Sequence, residues 1–291
     1  MKIKNSIEKL NTDILLIVFF FSSLACAVIR TLQIFRFIEP ETGFNTGAGW
    51  LMILLYVAVF GCAAIFCVGS YLSKQTKACQ PMGVNDRSAG TCALVFAVAL
   101  AGDWMSSFFG FFNSLANGVS APGFRGFMSS GVITNLGQSF FAFLSAIYIA
   151  FLAFDFLRGT HKANKFKILA LSPVAWASVR LIHRFIRQIS FVEVSDLLFE
   201  LVMISCLVLF FMALAQVVSG VNSTGFEWRI PAYGLSASLI AIILNVSRLA
   251  YGIFNGFSSL NENHPFSLVD LAFAMFAVSL ICALNRRTKE V

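Results

Sequence analysis

The chain has 291 residues, 58% of them hydrophobic and only 12% charged, with a mean hydropathy of +0.82. Soluble globular chains carry about 25% charged residues, so this composition excludes a soluble domain. The net charge of +7 is distributed as a topology signal, described below, and not as a nucleic-acid footprint.

Eight apolar runs follow one another, at 14–36, 49–73, 91–116, 132–157, 166–187, 194–219, 231–253 and 267–285. Each offers about the 20 residues a bilayer core requires. Backbone in hydrocarbon must satisfy its own hydrogen bonds, and runs of this length do so as helices rather than as alternating strands. The expected fold is all-α: a polytopic membrane bundle of eight transmembrane helices in one integral membrane domain over 1–291. Its first partner is the lipid bilayer.

The first run follows Lys2, Lys4 and Lys9, like a secretory signal. No small-residue cleavage site is followed by polar sequence, and AVIRTLQIF (27–35) continues the helix past Arg30. SLAC (23–26) has the wrong residues for a lipoprotein box, so a retained signal anchor is expected.

Basic residues set the orientation. With the N-terminus cytoplasmic, 14 of the 21 basic residues fall inside against six acids, while the outer side balances seven with seven. Both termini are then cytoplasmic, as an even number of crossings requires.

The third run carries Asp103 in LAGDWM (100–105). It lies about 18 Å up its helix at 1.5 Å per residue, near the midplane. Intramembrane acids are costly and are candidates for proton- or cation-linked roles. The competing reading is an acid hydrogen-bonded to a neighbour such as Gln138, Ser139 or Asn245. LAGD resembles half of an intramembrane aspartyl protease motif, but Leu100 stands where that motif has its first glycine. The only other candidate acid, Asp155, ends the fourth run beside Arg158 at the membrane edge.

The fifth run places Arg180, Arg184 and Arg187 at i, i+4 and i+7, with His183 alongside, on one helical face. The sixth opens with Glu193, Asp196 and Glu200. Forked guanidinium groups suit carboxylate and phosphate, so this set reads as an outward polar vestibule for an anion or zwitterion. The competing reading, which the positions near the interface favour, is a charge clasp between hairpins. Glu200 is expected about as deep as Arg180, and Asp270, at the start of the eighth run, about as deep as Arg248. One ion pair is expected in each of the last two hairpins.

Arg30, Arg180 and Arg248 share a local pattern in AVIRTLQIF, ASVRLIHRF and NVSRLAYGIF, with Trp104 at the matching place in the third run. Trp50, Asn135, Asp196 and Asp270 match at the starts of the even runs. The chain then reads as four tandem helical hairpins, 14–73, 91–157, 166–219 and 231–285. The repeated arginines lie about 20–25 Å along their helices, where a long stem reaches the headgroups or a carboxylate from the next helix pairs them.

Seven cysteines show no C-x-x-C spacing, and three histidines, at 161, 183 and 264, lie in different segments. Neither a disulfide framework nor a metal site is indicated. No cofactor fingerprint or nucleophile–base motif appears. The stretches ALSPVAWASVRLIHRF, SDLLFELVMISCLVLFFMALAQVVSGV and HPFSLVDLAFAMFAVSLICAL resemble uncharacterised multi-pass membrane proteins of anaerobic Gram-positive bacteria. That resemblance implies a bacterial cell-membrane location and carries no activity.

Two functions follow as expectations. One is binding or transport of a small solute or ion, with Asp103 as the midplane acid. The other is a non-transporting membrane subunit or sensor whose ion pairs only hold helices together.

Overall fold

The computed structural model describes residues 12–37, 47, 49–73, 86–116, 132–159, 165–186, 194–220, 228–256 and 266–290. Over these residues the chain is helical: α1 (Thr12–Arg36), α2 (Gly49–Leu72), α3 (Arg87–Ala116), α4 (Val132–Arg158), α5 (Ser172–Ile186), α6 (Val194–Ser219), α7 (Arg229–Asn255) and α8 (Leu268–Glu290). Among the described residues, all of these but α5 are long and apolar enough to cross a membrane, seven in total. The chain is a polytopic membrane protein.

The eight expected runs match the eight helices in order, but the fifth differs in kind. In place of one long helix it has a 3-10 turn, Leu169–Leu171, and then the 15-residue α5. Pro173 is the cause. It has no N–H to give the carbonyl of Leu169, so a continuous helix would leave that oxygen unpaired. Here the Leu169 oxygen accepts both the backbone N–H of Ser172 and its hydroxyl, the latter at 2.7 Å. Pro173 itself sits in the first helical turn, where a missing N–H costs nothing.

The residues group into two compact units. The first comprises residues 1–76, 190–203 and 228–291, and the second 77–189 and 204–227. Helix α6 is divided, its first ten residues belonging to one unit and the remainder to the other.

In the first unit α7 is the core helix: 61% of its most apolar window is buried, against 17% for α2. Small residues, among them Ala232, Gly234, Ser236 and Ala237, let neighbours approach its backbone. Helices α1 and α7 run in the same direction, because Phe35 packs on Tyr251 near the end of each, centroids 5.6 Å apart. Helix α2 is antiparallel to both: Phe66 meets Phe19 early in α1, and Tyr71 meets Trp228 just before α7. Asn245 closes the α7–α8 hairpin, donating to the Ala241 carbonyl at 3.0 Å while accepting the Ser267 N–H at 2.8 Å. Asn285, near the end of α8, donates to Asp13 at the start of α1 at 2.6 Å. The beginning of α1 and the end of α8 therefore lie side by side.

In the second unit α3 and α4 form a tight antiparallel pair. Asp86 caps α3, accepting the N–H of Ser88 at 3.0 Å. Gly90 allows the closest approach: a Cβ there would sit 2.7 Å from Leu157 Cγ and 3.2 Å from the Ala153 oxygen. The fifth run lies along α4, with Phe166 stacked on Phe151 at 5.7 Å and His183 bonded to Thr134 at 2.8 Å. It thus follows α4 from residue 151 back to 134, although only its second part is regular α-helix.

Candidate functional site

Charge gathers at two places, one in each unit. In the first unit α1 and α7, running in parallel, bring Arg30 and Arg248 to the first turns of α6. Arg30 Nη2 donates to Asp196 Oδ1, and its Nη1 donates to Gln33 Oε1 at 3.0 Å. Arg248 Nη2 donates to Glu200 Oε1 at 2.9 Å and reaches Asp196 Oδ2 at 3.4 Å. Exposure is 3% for Arg30, 4% for Arg248, 6% for Asp196 and 7% for Glu200. Asp196 and Glu200 share a face at i, i+4, where like charges repel, and the two guanidiniums offset that repulsion. The first turn of a helix also favours an acid.

Arg30 and Arg248 were expected to reach headgroups or to pair with a carboxylate of the following helix; both are buried, and the carboxylates they hold are those of α6. Glu200, expected beside Arg180, takes its 2.9 Å bond from Arg248. Arg248 in turn, expected beside Asp270, holds Glu200 and Asp196. Asp270 is buried at the start of α8, where its backbone N–H donates to Ser267 Oγ at 3.4 Å as part of the helix cap. Gln33, one turn beyond Arg30, drew no attention in the sequence because a lone glutamine near a helix end has no chemical signature.

The second unit holds Asp103. It continues the buried stripe of α3 formed by Phe96, Leu100 and Ser107, so helical spacing turns it toward the interior of the unit. Trp176 Nε1 donates to its Oδ2 at 2.8 Å, and Gln138 Nε2 approaches both oxygens at 3.3 and 3.4 Å. Gln138 was one of the expected neighbours and Trp176 was not. Trp176 is fully buried, with its ring 6.4 Å from that of Phe96. The Arg180 guanidinium lies 5.7 Å from the same ring's centroid, one turn along α5.

Arg180, His183 and Arg184 all lie on α5 in the second unit. His183 shares its Nδ1 contact with Thr134 in the first turn of α4. Asp196 and Glu200 belong to the first unit. Arg187 and Glu193 lie outside the described residues.

Asp103 differs chemically from the acids of the first unit. Among the described residues its hydrogen-bond donors are an indole and an amide, both neutral, which orient the carboxylate without cancelling its charge. No group of three His, Cys, Asp or Glu side chains comes together among the described residues as a metal centre would need. Compared with known protein families, with characterised proteins and with solved structures, the chain matches none.

Proposed function

We propose that the protein binds a small solute or ion in the membrane at Asp103, and that the first unit is the scaffold. The observation that carries this reading is the contrast between the two charged places. Asp196 and Glu200 are held by two guanidiniums, so that acids and bases balance in that cluster. Asp103, on the inward face of an apolar helix, takes its hydrogen bonds among the described residues from Trp176 and Gln138. A carboxylate so held is an acceptor for a cation, an amine or a proton. On this reading Arg180, His183 and Arg184 line the approach from the outer side. Transport of the solute, rather than binding alone, belongs to the same proposal.

The second reading, a non-transporting subunit or sensor, is favoured at one point: the buried Arg30, Arg248, Asp196 and Glu200 cluster has the character of a purely structural clasp. We assign that role to the cluster, and the binding role to the other unit.

The setting we infer is a bacterial cytoplasmic membrane, with eight crossings in four tandem hairpins and both termini cytoplasmic. The bond between Asp13 and Asn285 supports termini on one side, and the way the fifth run follows α4 from Phe151 to Thr134 supports an eighth crossing.

Trp176 supplies the test, because its N–H is bonded to the acid. Purified protein is titrated with sodium, potassium and primary amines while indole emission is followed, with Trp176→Phe and Asp103→Asn as controls. A saturable change that both variants lose supports the reading. A response that survives Asp103→Asn, or no response to any of these probes, removes Asp103 as the binding group.

A further inference from the structure

The buried face of α4 carries a file of polar side chains that runs the length of the helix. Thr134, Gln138, Ser145, Tyr148 and Asp155 fall at spacings of four, seven, three and seven residues, all of which return to one helical face. The file spans 21 residue steps, or about 32 Å at 1.5 Å per residue, which matches the roughly 30 Å thickness of a hydrocarbon core. Thr134, Ser145, Tyr148 and Asp155 are all buried, with Ser145 0% and Tyr148 1% exposed.

Packing alone does not explain this file. The Tyr148 hydroxyl has no hydrogen-bond partner among the described residues, although a buried hydroxyl without one is costly. Gln216 Oε1, on the part of α6 in the same unit, is a second such atom. Side chains lean toward the N-terminus of their helix. Because α3 and α4 are antiparallel, Asp103 and Tyr148 lean toward each other. Buried polar atoms in a polar setting are what ordered water satisfies.

We propose that the second unit carries a water-mediated proton path along α4, in which the Tyr148 hydroxyl relays protons between Asp155 and Asp103. In one transfer the Tyr148 O–H bond breaks toward a water bonded to the Asp103 carboxylate. The same oxygen takes a proton from a water on the Asp155 side. The phenol is regenerated, one O–H bond has formed on Asp103 and one has broken on Asp155. The other titratable or charged side chains on the helices around this path are Arg87 and Cys92 on α3, Arg158 on α4, Arg180, His183 and Arg184 on α5 and Cys206 on α6. Thr134 and His183 form its far end. The inference rests on the reading of Asp103 as a functional acid and names the proton as the ion it handles.

The full chain is reconstituted in vesicles loaded with a pH-sensitive dye, and a potassium gradient with valinomycin drives protons inward. The parent is expected to acidify the lumen well above the protein-free rate, Tyr148→Phe severalfold more slowly, and Asp103→Asn at the protein-free rate. A parent at the protein-free rate, or a Tyr148→Phe variant as fast as the parent, overturns the path. Because a variant can fail in reconstitution, hydrogen–deuterium exchange on the Asp103 carboxyl is followed separately by infrared spectroscopy in detergent. Slower exchange in Tyr148→Phe supports the relay and equal exchange refutes it. Probe-dependent Trp176 emission without proton uptake would sink the path and leave solute binding standing, whereas loss of both would sink both.

Discussion

Arg30, 166 residues before Asp196, and Arg248, 52 residues after it, hold the two oxygens of its single carboxylate. Asp196 therefore ties α1 and α7 to the start of α6. Glu200 shares only Arg248 in these bonds, so the two acids are unequal partners. Breaking a buried pair by removing one member typically costs about 3–5 kcal/mol, because the remaining charge is left buried. Asp196→Ala takes the carboxylate from Arg30 and one of two from Arg248, and is expected to cost at the upper end of that range. Glu200→Ala leaves Arg248 its bond to Asp196 and is expected to cost less. Thermal unfolding of the purified protein in detergent measures both. Equal losses, or an Asp196→Ala variant as stable as the parent, would mean that the cluster does not hold these helices.

The bond from Asn285 to Asp13 puts the beginning of α1 beside the end of α8. Reporter domains fused to either terminus are therefore expected to report the same side of the membrane. The prediction is specific, since one crossing more or fewer would send the two reporters to opposite sides. The bond itself adds little. Intramembrane polar contacts measured by double-mutant cycles average about 0.6 kcal/mol, so Asn285→Ala should shift stability slightly and leave the topology unchanged.

Much of this was legible in the sequence, and what was not has identifiable physical causes. The apolar runs located the helices in order, seven of them long and apolar enough to cross a membrane, because a bilayer imposes a length that hydropathy reports directly. The repeat aligned Arg30 with Arg248, and the structure brings both to one carboxylate. Partner choice was not legible. Glu200 was set beside Arg180 because the two belong to consecutive helices, but α1 and α7 lie parallel and deliver their arginines to the same end of α6. Neighbours in sequence need not be the nearest charges. Trp176 was invisible as a ligand of Asp103 because a tryptophan in an apolar run is ordinarily packing, and only the helix positions reveal what its N–H meets. The irregular start of the fifth run could have been read from Pro173, which the hydropathy pattern masks.

Glycines separate close packing from open surface. A Cβ at Gly90 would stand 2.7 Å from Leu157 Cγ and 3.2 Å from the Ala153 carbonyl oxygen, whereas Gly61 on α2 has nothing within 4 Å. A backbone oxygen cannot step aside as a side chain can. Gly90→Ala must push α3 from α4 and is expected to cost about 1–3 kcal/mol, the usual range for overpacking. Gly61→Ala meets no atom and gains helix propensity, up to about 1 kcal/mol. Paired melting curves decide the matter. A Gly90→Ala variant as stable as the parent would show that the two helices are not in the contact described.

Asp103 offers the sharpest separation of structural from functional charge, because two substitutions remove that charge in different ways. Asp103→Asn keeps an oxygen that can accept the Trp176 N–H, now 2.8 Å from the carboxylate. Asp103→Leu removes every acceptor and leaves the fully buried indole N–H unpaired, at about 1–3 kcal/mol. If Asp103 serves packing alone, both variants lose stability, since the charged acceptor is the stronger one. If the charge is kept for binding, Asp103→Asn melts at or above the parent temperature while the response to sodium or amines disappears. The expected order is therefore Asn at or above parent, and parent above Leu. An Asp103→Asn variant that unfolds as early as Asp103→Leu would assign the carboxylate to structure and leave the binding reading without its acid.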